Sequence, residues 1–267
     1  MATKSIMKSR NYYILFAIVI TLCLLNSCSS FAEAEPTAAD PSRSPSPDAI
    51  AQAERLFAER EDIDKLREAV KIMAGLRDPS GRSYEVEWKF SKYSYFLGKS
   101  LEDENEAEAV LEKGLEAGRI ASRVEPDKPD GHFWLAANLG ELSKLSPVTV
   151  GIKSVDDIRE AVNKVVELDP AYQSGSSYAA LGQLEMKTRL YGGDAEKAVE
   201  YLEKGVEIGP DNAMIRADLV EAYLAVRRDA DARRQIEALL KMEPHPDYRP
   251  EHAEAVAKVK RLRDRNF

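Results

Sequence analysis

The chain has 267 residues, 31% of them charged and 44% hydrophobic, with a formal net charge of −8 and two cysteines. So acidic a surface argues against nucleic-acid binding, which is driven by neutralising phosphate. Two cysteines, one of them in the leader described next, exclude a disulfide framework and a cysteine-ligated metal site, so stability must come from an apolar core.

Lys4, Lys8 and Arg10 precede an apolar run from Ile14 to Leu25. About a dozen residues is the length of a signal-peptide core and too short to cross a bilayer comfortably. Leu25-Asn26-Ser27-Cys28 resembles a bacterial lipobox, in which the cysteine is lipidated and becomes the mature N-terminus. Residues 1–27 then read as a lipoprotein signal peptide and Cys28 as the lipidation site; the alternative is an ordinary secretory signal with an incidental cysteine. Cleavage removes three cations, leaving a net charge of about −11.

Residues 28–48 contain the Pro/Ser-rich stretch SSFAEAEPTAADPSRSPSPD, which lacks the apolar bulk for a core and reads as a disordered tether of roughly 25 Å. Ser29, where inner-membrane lipoproteins carry aspartate, resembles the class sent to the outer membrane. The expected location is therefore the outer membrane facing the periplasm, with the lipid anchor as the only membrane contact.

Residues 49–267 read as a single helical domain. Ile50, Ala53, Leu56 and Phe57 mark a helix over Ala49–Glu61, and Leu66, Ala69, Val70 and Met73 mark another over Ile63–Leu76. Pro79-Ser80-Gly81 breaks the pattern. On the next helix, about Tyr84–Leu97, Tyr84, Trp88 and Tyr95 share one face and Phe90, Tyr93 and Leu97 the other. Such a helix is either sandwiched in a core or turns one face to a groove. Gly114, Gly118 and Ala121 stripe the helix from about Glu106 to Val124, so its neighbours can approach closely.

Pro126 ends that unit, and His132, Leu135, Ala136 and Leu139 fall at core offsets of the following helix. Ser146–Ser154 is an insertion, unusually apolar through Val148, Val150 and Ile152; it either binds or folds back on its neighbours. A helix over Val155–Leu168 follows, then one beginning around Tyr178, Leu181 and Gly182. Arg189–Asp194 is a second insertion with Gly192-Gly193 as its turn and Asp194 as a helix N-cap.

Ala198, Leu202 and Gly205 then form one stripe closed by Pro210, and after Leu219 and Tyr223 the pattern returns as Ala232, Ile236 and Leu239 closed by Pro244. The two prolines are thirty-four residues apart. A helix–turn–helix unit of that period is the tetratricopeptide (TPR) signature. The fold expected is an all-α, TPR-like solenoid of about ten to eleven helices, capped by a polar last helix over Glu251–Arg265. The repeat core comprises the residues just named, prolines included.

Nothing in the chain makes a positive case for an enzyme. His132 sits at a core offset, and His245 and His252 beside Glu251 lack the spacing of a metal motif, so neither metal nor cofactor is expected. Glycine-rich nucleotide loops and the GxSxG elbow are absent, and the carboxylates are scattered over hydrophilic helix faces.

The lipobox, the tether, the helix EWKFSKYSYFLG, the block GHFWLAANLG, the stretch YGGDAEKAVEYLEKGVEIGPDNA and the closing EPHPDYRPEHAEAVAKVKRL together resemble the TatT family, the T-component lipoproteins of TRAP transporters. That resemblance runs from about Ala49 to the C-terminus. It implies a non-enzymatic periplasmic lipoprotein, able to form homotrimers, that docks a TRAP-type solute-binding protein and holds an apolar channel. Trp88, Phe90, Tyr93, Phe96, His132, Phe133 and Trp134 are candidates to line that channel by position and side-chain type. Val148, Val150 and Ile152 are added as a candidate partner surface. The alternative is a generic TPR scaffold for envelope or complex assembly.

Overall fold

The computed structural model describes residues 46–146 and 151–267, all within one compact unit, 41–267. Cys28, Val148 and Val150 lie outside the described residues, as does the side chain of Ile152. Eleven α-helices and no strand are found among the described residues: α1 Pro47–Ala58, α2 Ile63–Leu76, α3 Tyr84–Ser100, α4 Glu104–Val124, α5 Pro129–Leu145, α6 Val155–Leu168, α7 Tyr172–Lys187, α8 Ala195–Ile208, α9 Ala213–Ala225, α10 Asp229–Leu240 and α11 Arg249–Asn266. None is long and apolar enough to cross a membrane.

The helix boundaries follow capping chemistry. Asp62, Ser83, Asp103, Asp194 and Asn212 each accept a hydrogen bond from a first-turn amide of the helix they precede. Proline opens α1, α5 and α11, where its missing N–H costs nothing. This explains why α1 and α11 begin two residues before the starts that apolar spacing gives them.

Each helix packs on its neighbour in sequence, and α3 also lies along α5, α7 along α9, and α9 along α11. That is the two-layered order of a helical-hairpin solenoid, with α3, α5, α7, α9 and α11 as the inner layer. The core runs through the stack as three apolar pools, one around α1–α4, one around α4–α7 and one around α7–α11. Ala198, Leu202, Leu219, Tyr223, Ala232, Ile236 and Leu239 are all buried in the last pool, and Gly205 packs against Ile215. Pro210 and Pro244 depart from the expected core: both are exposed, and act by ending a helix.

The small-residue stripe on α4 does let its partners in. A methyl added at Gly114 would lie 2.7 Å from the Ser94 Cβ, and one at Gly118 would lie 2.8 Å from the Leu135 backbone. Asn138 ties this close three-helix contact together, donating to the Ser91 carbonyl at 3.0 Å and the Trp134 carbonyl at 2.8 Å, while Ser91 donates to the Gly114 carbonyl at 2.8 Å.

Candidate functional site

A cleft of about 930 Å3 is walled by α3, α5, α7, α9 and the start of α11, with Val155, Ile158 and Val162 of α6 and the turn at Gly192-Gly193 completing it. One end is aromatic. Tyr95 and Phe96 of α3 and Phe133 and Trp134 of α5 line it, and their rings belong to an unbroken file. Tyr93 stacks on Phe57 at 4.2 Å, Phe57 meets Phe96 at 5.2 Å, Phe96 and Tyr95 flank Trp134 at 5.9 and 5.6 Å, and Phe133 joins Trp134 at 5.0 Å to Tyr172 at 5.1 Å. Alternating helix faces explain how one helix serves both sides: Phe90, Tyr93 and Leu97 point into the core while Tyr95 and Phe96 point to the hollow.

The hollow itself is made by small side chains. Ala136, Ala137 and Gly140 on α5 face Ala179 and Ala180 on α7, and Met214 and Ile215 of α9 continue the wall. Polar groups gather along the rim: Glu141 and Lys144 on α5, Gln183 and Lys187 on α7, Asp218 on α9, and Glu251, His252 and Glu254 on α11. Most are tied. Asp218 accepts from Lys258 at 2.6 Å and from Gln183 at 2.6 Å, the His252 ring meets the Met242 carbonyl at 3.1 Å, and Lys144 pairs with Glu141. Burial of the aromatic end pushes the Tyr95 phenol well above its ordinary value.

Lys92, beside that end, holds its ammonium 4.9 Å from the Phe57 ring and 5.6 Å from the Trp134 ring. Burial and the neighbouring Arg60 cation lower its pKa. Groups of His, Cys, Asp or Glu able to hold a metal are absent among the described residues.

The first turn of α7 forms part of the rim in an unusual backbone. Gln173, Ser174 and Gly175 have φ of 48°, 53° and 77°, a left-handed turn that costs an ordinary residue about 1–2 kcal/mol. It is held in place by Asn212, whose amide donates to the Ser174 carbonyl at 3.3 Å, and by Gly209, where any side chain would collide with that carbonyl. Below it, Asp130 accepts from both Tyr84 at 2.8 Å and Tyr172 at 2.7 Å, joining α3, α5 and α7 under the aromatic floor. Both phenols are raised, burial being the largest cause and the carboxylate adding to it.

Of the residues proposed from sequence, Phe96, Phe133 and Trp134 meet in the cleft. Phe90 and Tyr93 do not; at 3% exposure each they are core. Trp88 is half-buried outside the cleft, with Lys89 near its ring. His132 is neither core nor lining: it is half-buried, and its Nε2 donates to the Pro126 carbonyl at 2.9 Å, closing the turn before α5. Tyr95, which sequence spacing places on the face opposite Phe90 and Tyr93, joins the lining. The hollow at Ala137 and Gly140 left no signal, since small residues read equally as close packing.

Residues 49–263 match the family model described as RMD1-3, regulator of microtubule dynamics protein 1-3. The chain belongs to that family. No curated protein matches this RMD1-3 family member in sequence. Among solved structures it is similar to TTC0263, a thermophilic TPR protein of Thermus thermophilus, with 18% identity and a TM-score of 0.56 over 79% of this chain and 98% of that one. That likeness shows the TPR-type fold and nothing about function. A structure of MamA from MSR-1 is 13% identical over 82% of this chain and 95% of that one, at a TM-score of 0.44, too low to bear on the fold.

Proposed function

We propose that this chain is a non-catalytic helical scaffold whose inner cleft takes up an apolar molecule, and which serves as an anchored adaptor for a protein partner. The aromatic-walled cleft carries this reading. Its volume of about 930 Å3 is that of a small-molecule site, and it joins an apolar, aromatic end to a rim of charged side chains that are largely paired among themselves. The inner face is also where helical solenoids place their binding surface.

The finer reading adds what the sequence suggests. Cys28 carries the lipid, residues 29–48 are the tether, and the domain works at the outer membrane as a TatT-like homotrimer docking a TRAP-type solute-binding protein. Family membership favours a second reading, in which the scaffold regulates the dynamics of a protein filament, since the family description names its members regulators of microtubule dynamics.

Capture of partners through the full chain from its native membranes separates the two. Stoichiometric recovery of a solute-binding protein supports the adaptor, and recovery of filament subunits supports the second reading. Recovery of neither, together with no thermal stabilisation of the chain by long-chain fatty acids, overturns the proposal.

A further inference from the structure

In a helical solenoid each unit touches only its neighbours. Here the two ends meet. Arg60, in the turn between α1 and α2, grips Glu251 of α11, 191 residues away, through both carboxylate oxygens: Nε to Oε1 at 3.2 Å, Nη2 to Oε1 at 2.9 Å and Nη2 to Oε2 at 2.9 Å. Lys99, at the end of α3, reaches Glu254 one turn further along α11 at 2.7 Å. The Arg60 guanidinium also lies 5.4 Å from the Phe96 ring, which itself lines the cleft.

This meeting is polar and loosely packed. The buried side chains of α11, Ala255 and Val259, belong to the pool around α9 and α10, whereas those of α1 and α2 belong to a separate pool. A hollow of about 300 Å3 lies between the two ends, walled by Arg60, Leu66, Phe96, Pro250 and Glu251. A contact held by ion pairs without a shared apolar core can open while both sides stay folded. We propose that Arg60–Glu251 and Lys99–Glu254 form a clasp that closes the aromatic end of the cleft, and that it must break for a large apolar molecule to reach Trp134. The proposal rests on the cleft being the binding site, and gives that site a gate.

The test needs no ligand. The chain has two tryptophans, so Trp88→Phe in the full chain leaves Trp134, 4% exposed in the cleft wall, as the sole indole. Quenching by neutral acrylamide then reads access to the aromatic end. Arg60→Met should raise the quenching constant by about threefold or more, as expected when a minor open state becomes a major one. Raising NaCl from about 0.05 to about 0.5 M should act in the same direction on the parent and less on Arg60→Met, which keeps only the Lys99–Glu254 pair. The exchanged pair Arg60→Glu with Glu251→Arg should restore the low value. Should Arg60→Met fold poorly, Arg60→Lys, which keeps the charge and loses the bidentate grip, should fall between the two.

Unchanged quenching in Arg60→Met, with amide hydrogen exchange also unchanged at residues 59–63 and 249–254, overturns the clasp. A quenching response without any capture of a photoactivatable fatty acid would sink the ligand reading and leave the clasp standing. Capture without a quenching response does the reverse.

Discussion

Two glycines on facing helices should respond to the same substitution with opposite signs. A methyl at Gly140 of α5 meets nothing within 4 Å, because it projects toward the cleft. Gly140→Ala therefore collects only the helix-propensity gain, about 1 kcal/mol, and raises Tm by about 2–4 °C for a body of this size. At Gly118 of α4 the same methyl lies 2.8 Å from both the Cα and the N of Leu135. Backbone cannot swing aside, so α4 and α5 must separate. Overpacking of this kind costs about 1–3 kcal/mol, and after the same propensity gain Gly118→Ala is left destabilised by up to about 2 kcal/mol. Thermal and urea melts of the two variants, followed by circular dichroism, decide the matter. Should Gly140→Ala lose stability as Gly118→Ala does, the cleft is not open space and the reasoning fails.

The ionic groups give further expectations. Glu87 is fully buried and accepts from Arg77 at 2.8 Å and Arg82 at 2.8 Å, while Arg77 also pairs with Glu116 at 3.6 Å; Glu87→Ala removes the acceptor that both arginines share and should cost about 1–3 kcal/mol in urea melts. Burial alone would raise the Glu185 carboxyl, but Arg159 at 2.7 Å, the Asp194 amide at 3.1 Å and Lys197 together hold it below 4.5. Its contribution is thus complete above pH 4.5 and lost as pH falls through the folded value, so the penalty of Glu185→Gln should be largest at neutral pH and fade in acid. Lys92 is the opposite case. Its folded pKa lies below 10.5, so the native state sheds the proton first. Stability measured across alkaline pH should rise between that value and 10.5, and Lys92→Met should flatten the rise.

Much of the fold could be read from the chain because it is written in local chemistry. The boundaries of α2 and α6 match the periodic apolar spacing, and Asp194 caps α8 as its residue type demands. The core of the last repeat lies where the stripe Ala198, Leu202 and the stripe Ala232, Ile236, Leu239 put it. The site was legible only in part. Aromatic residues on a helix announce bulk without saying which face a neighbour will cover, so Phe90 and Tyr93 went to the core and Tyr95 to the cleft. His132 satisfied the repeat offset but found a nearby carbonyl instead of the core. The left-handed turn at Gln173–Gly175 and the Arg60–Glu251 pair depend on distant partners, Asn212 for the one and a helix 191 residues away for the other, and neither leaves a periodic trace.

The central claim is that the cleft between the aromatic end and Gly140 holds an apolar molecule. It is tested most directly by photocrosslinking the full chain with a diazirine-bearing long-chain fatty acid and mapping the modified peptides. Adducts should concentrate on α3 and α5 around Tyr95, Phe96, Trp134 and Ala137, and should diminish in Gly140→Phe, whose ring enters the hollow from a position where a Cβ meets nothing within 4 Å. Adducts scattered over α1, α2, α4, α8 and α10, which line no part of the cleft, or undiminished in Gly140→Phe, would contradict it.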